Sequence, residues 1–273
     1  RFHLDNTELV DLNRMRKERQ LLPFAKMQGC GNDYIFFDNR KGTITSPGSL
    51  CVSLCDRHYG IGGYGIVLIE DSRVADARMR IFNRDGTEGA MAGNAIRCVG
   101  KYLYDKGIVK KEYMTIETAG GIKSLLLYTR NGKANTISVG MGKADLDAMS
   151  LPTTLPGSTI INRPVEIAGG TYHITCASVG NPHCVVFCDD PSALDLETLG
   201  PKFERINTEF VRIVNEDTLR MRVYERGNGE TVACGTGACA AVIAATENGF
   251  VEKGKDITVK LVGGDLVVKY TDH

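Results

Sequence analysis

Residues 78–88, RMRIFNRDGTE, and residues 220–230, RMRVYERGNGE, are near copies of one another at an offset of 142 residues. The register runs on without a gap: Glu88 falls on Glu230, Gly93 on Gly235, Gly107 on Gly249 and Val109 on Val251. Further along, Thr115–Gly121 (TIETAGG) lies over Thr258–Gly264 (TVKLVGG), now at an offset of 143. Upstream, Gly31-Asn32-Asp33-Tyr34 matches Gly180-Asn181-Pro182-His183, and an apolar, strand-like run follows each. Three blocks in the same order at nearly one spacing indicate an internal duplication, and a repeat of this length dictates the architecture. The chain divides into an N-terminal extension over 1–21 and two homologous domains, 22–145 and 146–273. The segment between them is poor in regular pattern (Leu151-Pro152, Leu155-Pro156-Gly157-Ser158).

Each half reads as strands about one helix. Met79–Phe82 and Met221–Tyr224 alternate and carry β-branched or aromatic residues, as strands do. Residues 94–105 suit a helix that ends near Gly107. Its counterpart begins after Gly235, where Gly237–Ala245 (GACAAVIAA) is apolar on every face and stops near Gly249. Such a helix must be buried all round, so it is expected as a central rod wrapped by its strands. The expected class is therefore α/β in the broad sense, α+β in detail: two pseudo-symmetric domains, each a β-sheet round a central helix, with a cleft between. Residues 1–20 have no counterpart in the second half. They carry Leu9, Val10, Leu12 and Met15 at loosely helical spacing, and an added helix, a frayed tail and a non-native remnant all stay open.

Composition narrows the function. The chain has 273 residues, with 33 Lys plus Arg against 33 Asp plus Glu, so nothing points to nucleic acid or an anionic membrane. No run approaches the roughly 18 apolar residues of a membrane helix, and Arg1-Phe2-His3-Leu4-Asp5 is no secretory signal. A soluble, cytoplasmic protein is expected. Nine cysteines, with no CxxC pair and only five histidines, suit neither a disulfide framework nor a structural zinc site, so no metal is expected. Most of these thiols read as small buried hydrophobes.

One thiol stands apart. Each half has a strand, a polar turn and a helix start, Ala92-Gly93-Asn94 in the first and Cys234-Gly235-Thr236 in the second. A helix start offers unpaired N–H groups and the positive end of the helix dipole, which suits a carboxylate. It also lowers the pKa of an adjacent thiol, and Cys234 is placed for that. Two such starts facing across a pseudo-twofold axis would clamp one carboxylate while a proton leaves the neighbouring carbon. Inverting a stereocentre needs an acid/base on each face, which a duplicated protein supplies naturally. Cys239, inside the apolar helix, reads as packing.

The segments KMQGCGNDYIFFD (26–38), MAGNAIRC (91–98), VGNPHCVV (179–186) and YERGNGETVACGTGA (224–238) resemble those of diaminopimelate epimerases, and the similarity runs from about Phe24 onward. The resemblance implies two similar domains, each a set of strands around a central helix, and interconversion of LL- and meso-diaminopimelate without pyridoxal phosphate or any other cofactor. It implies lysine and cell-wall precursor synthesis, a homodimer, and a small-molecule substrate as the ligand. Cys234 becomes one of two acid/base cysteines. Gly93-Asn94 and Gly235-Thr236 would bind the α-carboxylate. Asn32, Asn83, Asn181, Asn207 and Arg226 would hold polar groups of the substrate, with Arg226 suited to the distal carboxylate by bidentate pairing. Glu225 and His183 would support the amine and the catalytic geometry. Read singly, Asn32 and Asn181 could be turn residues, Glu225-Arg226 a surface pair and His183 a core histidine.

The sequence departs from the family in three places. Ala92 stands where the family has its other cysteine, and Cys98, nearly two helical turns on, cannot replace it. Alanine accepts no proton, so two-base epimerisation should be impaired. An introduced substitution and a diverged homologue both fit. The latter would be a one-base isomerase or lyase, a racemase of another amino acid, or a non-catalytic amino-acid-binding protein. Tyr64 lies in Gly60–Gly65 where the family usually has aspartate. Finally, the first half continues through Ile137–Gly142 (ISVGMG), a strand without a counterpart before His273, so the second half is expected to lack its final strand. Its exposed edge would need a cover, for which residues 1–20 are a candidate.

Overall fold

Both copies of the repeated stretch are central strands. The computed structural model describes residues 21–203 and 206–273. In the first half the strands are β1 (Ala25–Gly29), β2 (Asn32–Asp38), β3 (Gly65–Glu70), β4 (Ala77–Asn83), β5 (Glu88–Gly89), β6 (Tyr113–Thr118), β7 (Gly121–Arg130) and β8 (Lys133–Val139). They form one sheet in the order β1-β2-β3-β4-β6-β7-β8, with the short β5 paired to β4. The second half contributes β9 (Arg163–Ile167), β10 (Gly170–Ser178), β11 (Pro182–Phe187), β12 (Asn207–Asn215), β13 (Thr218–Glu225), β14 (Gly229–Thr231), β15 (Asp256–Leu261) and β16 (Gly264–Lys269). Their order is β16-β15-β13-β12-β11-β10-β9, with β14 on β13. The parallel pairs also correspond: β2–β3 and β4–β6 in one half, β11–β12 and β13–β15 in the other. The duplication read from sequence is thus a duplication of topology.

The copies differ at their ends. Among the described residues, β9 has no counterpart in the first half and β8 has none in the second, whose last described strand is β16. The suggestion that residues 1–20 cover the open edge falls outside the described residues. The first sheet ends at Val139 and the second begins at Arg163, with an isolated bridge between Asp145 and Ser178.

Four α-helices are described: α1 (Pro47–Leu54), α2 (Gly93–Asp105), the short α3 (Leu196–Leu199) and α4 (Gly235–Glu247). As the sequence implied, α4 is enclosed. Ala238, Ala240, Ala241, Val242, Ile243, Ala244 and Ala245 are all buried, and the helix touches β10, β11, β12, β13, β15 and β16. Alanine's small side chain is what lets strands approach on so many sides. α2 is more amphipathic, turning Ile96, Val99 and Leu103 inward against β1, β2, β7 and β8. Both helices stop two residues before a left-handed glycine, Gly107 at φ +69° and Gly249 at φ +74°. In each, the N–H beyond the glycine reaches back to a carbonyl of the last turn, Ile108 to Leu103 and Phe250 to Ala245.

The cysteines are all free; six are buried and three half-buried, largely as expected of small hydrophobes. Cys51 and Cys55 share one side of α1 with their sulfurs 3.5 Å apart. Cys184 and Cys188 are not on a helix: Cys184 is in β11, facing Cys176 across the ladder.

Because Leu103 is fully buried in the α2 core, Leu103→Ala should lower unfolding stability by about 2–5 kcal/mol. Urea denaturation followed by circular dichroism measures this; a loss under about 1 kcal/mol would mean α2 is not the rod its half is built on.

Candidate active site

The site forms where α2 and α4 meet start to start. A Cβ built on Gly235 would lie 3.6 Å from the Gly93 Cα, and one built on Gly93 would lie 3.8 Å from the Gly235 Cα. At these distances an added methyl group would just touch the facing backbone, so the two helix starts abut. Both helices begin from an extended residue, Ala92 at φ −136°, ψ 122° and Cys234 at φ −138°, ψ 115°. Neither first turn carries an acidic residue to offset the adjoining positive ends. Cys234 caps its helix, its Sγ accepting the Gly237 N–H at 3.3 Å with Thr236 Oγ1 at 3.5 Å. Ala92 makes no side-chain cap.

Behind each helix start runs a row of residues at the ends of adjacent strands. In the first half Tyr34 pairs with Gly65, and Gly65 with Asn83. In the second His183 pairs with Asn207, which the β12–β13 register sets opposite Glu225. Position for position, Tyr34 answers to His183, Gly65 to Asn207 and Asn83 to Glu225. The second row is the more polar. His183 is fully buried, its Nδ1 2.7 Å from Glu209 Oε1 and its Nε2 3.1 Å from Asn181 Oδ1. Glu225 accepts a very short hydrogen bond from the Thr231 hydroxyl, and Asn207 Oδ1 accepts the Arg226 N–H at 2.8 Å. Asn32 crosses between the halves, its Nδ2 donating to the Ala233 carbonyl at 2.9 Å while its buried Oδ1 has no partner.

The structure gathers Cys234, Glu225, His183, Asn181, Asn207 and Asn32 near the paired helix starts. Glu225 is no surface ion, and Arg226 is anchored through its backbone. Two expected residues are differently engaged. Asn94 is buried, and its Oδ1 accepts from Arg97 at 2.6 Å. Asn83 is exposed and donates to Thr87 Oγ1 at 3.1 Å across the turn into β5. Tyr64 packs at the edge of the first-half core, its ring 6.4 Å from Tyr34 and beneath Arg57. Cys98 lines a groove with Cys30, Arg97 and Cys239 that also reaches Gly93 and Gly235, and burial raises its thiol pKa to about 11.

The electrostatics overturn one expectation. A helix start by itself lowers a thiol pKa, yet Cys234 is pushed well above the ordinary 9.0. Burial is the largest cause, followed by the charges of Glu225 and Glu209; the Gly237 N–H and Thr236 hydroxyl pull back and lose. Glu225 is itself raised, by burial first and then by Glu209, against Thr231 and His183. Tyr34 is raised by burial and by the nearby Glu225 and Cys234. Cys234 therefore rests as a thiol. Reading the motifs missed two of these neighbours. Tyr34 sits inside a quoted motif, and Glu209 is an acid in the otherwise apolar run Phe210-Val211, so an inward-facing carboxylate was the available signal. Among the described residues, no cluster of His, Cys, Asp or Glu is placed to hold a metal, and no helix is long and apolar enough to cross a membrane.

Known structures share the fold. The fold matches that of a hydroxyproline epimerase from Agrobacterium vitis at a TM-score of 0.64, covering 90% of this chain and 82% of that one at 16% identity. A methylitaconate-delta-isomerase gives 0.58, covering 91% and 88% at 13% identity. Sequence narrows this to one family. The model of the family described as diaminopimelate epimerase matches residues 24–146 and 175–273. The diaminopimelate epimerase of Acetivibrio thermocellus is 45% identical over 257 residues, spanning 92% of this chain and 91% of its own. That of Desulfovibrio desulfuricans is 46% identical over 264 residues, with the same coverage. This chain is an isomerase by its relatives, and it belongs to the diaminopimelate epimerase family.

The raised Cys234 thiol has a direct consequence. Its charged form is the deprotonated one, so alkylation by iodoacetamide, which needs thiolate, should stay slow at neutral pH and climb only above pH 9.0. Peptide-resolved mass spectrometry across pH reads this; rapid labelling of Cys234 at pH 7 in the folded, ligand-free protein would contradict it.

Proposed function

We propose that this chain carries a diaminopimelate epimerase site in which Cys234 moves a proton at the substrate α-carbon. The observation that supports this best is the abutment of two helix starts, Ala92-Gly93 and Cys234-Gly235, with a thiol on one side only. An α-carboxylate set against both starts would receive the amides after Gly93 and Gly235. It would gain from them most as negative charge spreads onto it in the transition state. The substrate ammonium would sit beside Glu225, which the Thr231 hydroxyl orients. A cation there offsets the carboxylate charges that keep Cys234 protonated, making the thiolate accessible. That thiolate takes the α-proton, the C–H electron pair passes into the carboxylate, and the thiol can return a proton to the same face. Asn32, Asn83, Asn181 and Asn207 would hold the remaining polar groups and Arg226 the distal carboxylate. The division near residue 145, the homodimer and the cytoplasmic setting are proposed with this reading.

On the opposite face stands Ala92. A positioned acid/base group is worth about 10²–10⁴-fold, so inversion should be slowed by that order while exchange from the Cys234 face persists. The specific alternative favoured by Ala92 is a binding protein that keeps the carboxylate clamp without turnover.

Ala92→Cys is expected to establish interconversion of LL- and meso-diaminopimelate, measured by chiral chromatography; a folded, inactive revertant would sink the reading. As it stands, the chain should bind diaminopimelate by calorimetry and incorporate deuterium at the α-carbon of one configuration in D₂O. Binding without any exchange would favour the non-catalytic alternative. Exchange that survives Cys234→Ser would remove the thiol from the mechanism.

A further inference from the structure

Glu209 is a buried acid for which the proposed proton transfer has no use. It lies on β12 next to His183 on β11, and neither side chain has any solvent exposure. One carboxylate oxygen is 2.7 Å from His183 Nδ1, and the other has no hydrogen-bond partner. The same carboxylate presses on the first turn of α4, where a Cβ at Gly237 would come within 2.6 Å of Oε1. Gly237 is also the residue whose N–H holds the Cys234 sulfur. The carboxylate thus stands one backbone link from the reactive thiol.

The duplication shows that the fold does not require this arrangement. With Tyr34 equivalent to His183, the strand registers place Val67 where the second half has Glu209. Ala95 occupies the place of Gly237, and Tyr34, Val67 and Ala95 share one apolar core. A buried carboxyl group with an unmade bond is unfavourable relative to such packing. Its presence in one half only, on the side that carries Cys234, assigns it to the site.

We propose that Glu209 is a positioning residue for Cys234: it orients His183 and through it Asn181, and it holds the proton on the thiol until a cationic amino acid enters. When Glu209 Oε1 accepts the His183 Nδ1–H, Nε2 is left as an acceptor, so the Asn181 amide must present its Nδ2 there, turned over from the orientation that sets Oδ1 3.1 Å away. Through space, its negative charge opposes thiolate formation. The charged and titratable groups facing Cys234 are Glu225 on β13, Glu209 on β12, His183 on β11 and Tyr34 on β2. An incoming ammonium would reverse the balance. The proposal rests on the reading of Cys234 as the acid/base thiol.

Two variants separate the parts. Glu209→Gln removes the charge and keeps an oxygen for His183; Glu209→Val restores the residue of the first half and removes both. In each, the pH limb of Cys234 alkylation by iodoacetamide should move down by about one unit, or about tenfold faster labelling below the limb. Calorimetry with diaminopimelate should show affinity kept within about threefold in Glu209→Gln and weakened about tenfold in Glu209→Val, a loss in the range of one hydrogen bond. A limb that stays at the parent pH in a folded variant overturns the electrostatic part, and either variant alone decides it if the other fails to fold. Equal affinity in the two variants overturns the positioning part. Alkylation needs no turnover. A shifted limb with no deuterium exchange in any form would therefore sink the functional reading and leave the role of Glu209 standing.

Discussion

Two helices pointed at one another, Gly93 against Gly235, are the constraint on which the rest of the molecule depends. Apposing two positive dipole ends is unfavourable by about 0.3–1 kcal/mol for each charge equivalent. The burial of α4 outweighs this easily, since each enclosed valine or isoleucine contributes about 1.5–3 kcal/mol. Each sheet wraps its own helix and fixes the helix axis, and the sheets bring the two starts together. The backbones meet at a glycine on each side, and the amides of the helix starts are left facing a common space. A carboxylate there would complete both helices at once.

The symmetry of the scaffold makes the asymmetry of the chemistry visible. At matching places the first half has Tyr34, Val67, Ala92 and Ala95, and the second has His183, Glu209, Cys234 and Gly237. Both sets fit one topology, with the same parallel strand pairs and the same extended residue before the helix. The first set is an apolar core with one phenol. The second, together with Glu225, is a polar cluster in which two carboxylates, an imidazole and a thiol share one desolvated volume, so their protonation states are coupled. That coupling explains why Cys234, at a helix start that should favour thiolate, rests protonated. Two nearby carboxylates and the loss of water outweigh the amide dipoles.

Much of this was legible in the chain because repetition and periodicity are one-dimensional signals. The paired stretches 78–88 and 220–230 revealed the two halves, and the uniform apolarity of Gly237–Ala245 fixed a buried rod, since no other environment suits it. The pairing of Ala92 with Cys234 followed from register alone. Asn83 and Asn94 show the limit. Their types and positions fit a polar site, but that Asn83 also donates to Thr87 and Asn94 accepts from Arg97 depends on how a turn and a helix face close up.

By itself, then, the amino-acid sequence determined the duplication, the strand–helix–strand plan of each half, the family and the identity of the lone thiol, because each is carried by residue type and spacing. Tertiary structure decided the charge state of that thiol and the company it keeps. Glu209 lies 25 residues from Cys234 and 26 from His183 along the chain. It joins them only when β11, β12 and the start of α4 pack together and exclude water. Electrostatic energy depends on distance and solvation in three dimensions, and neither is fixed until the sheet has closed around the helix.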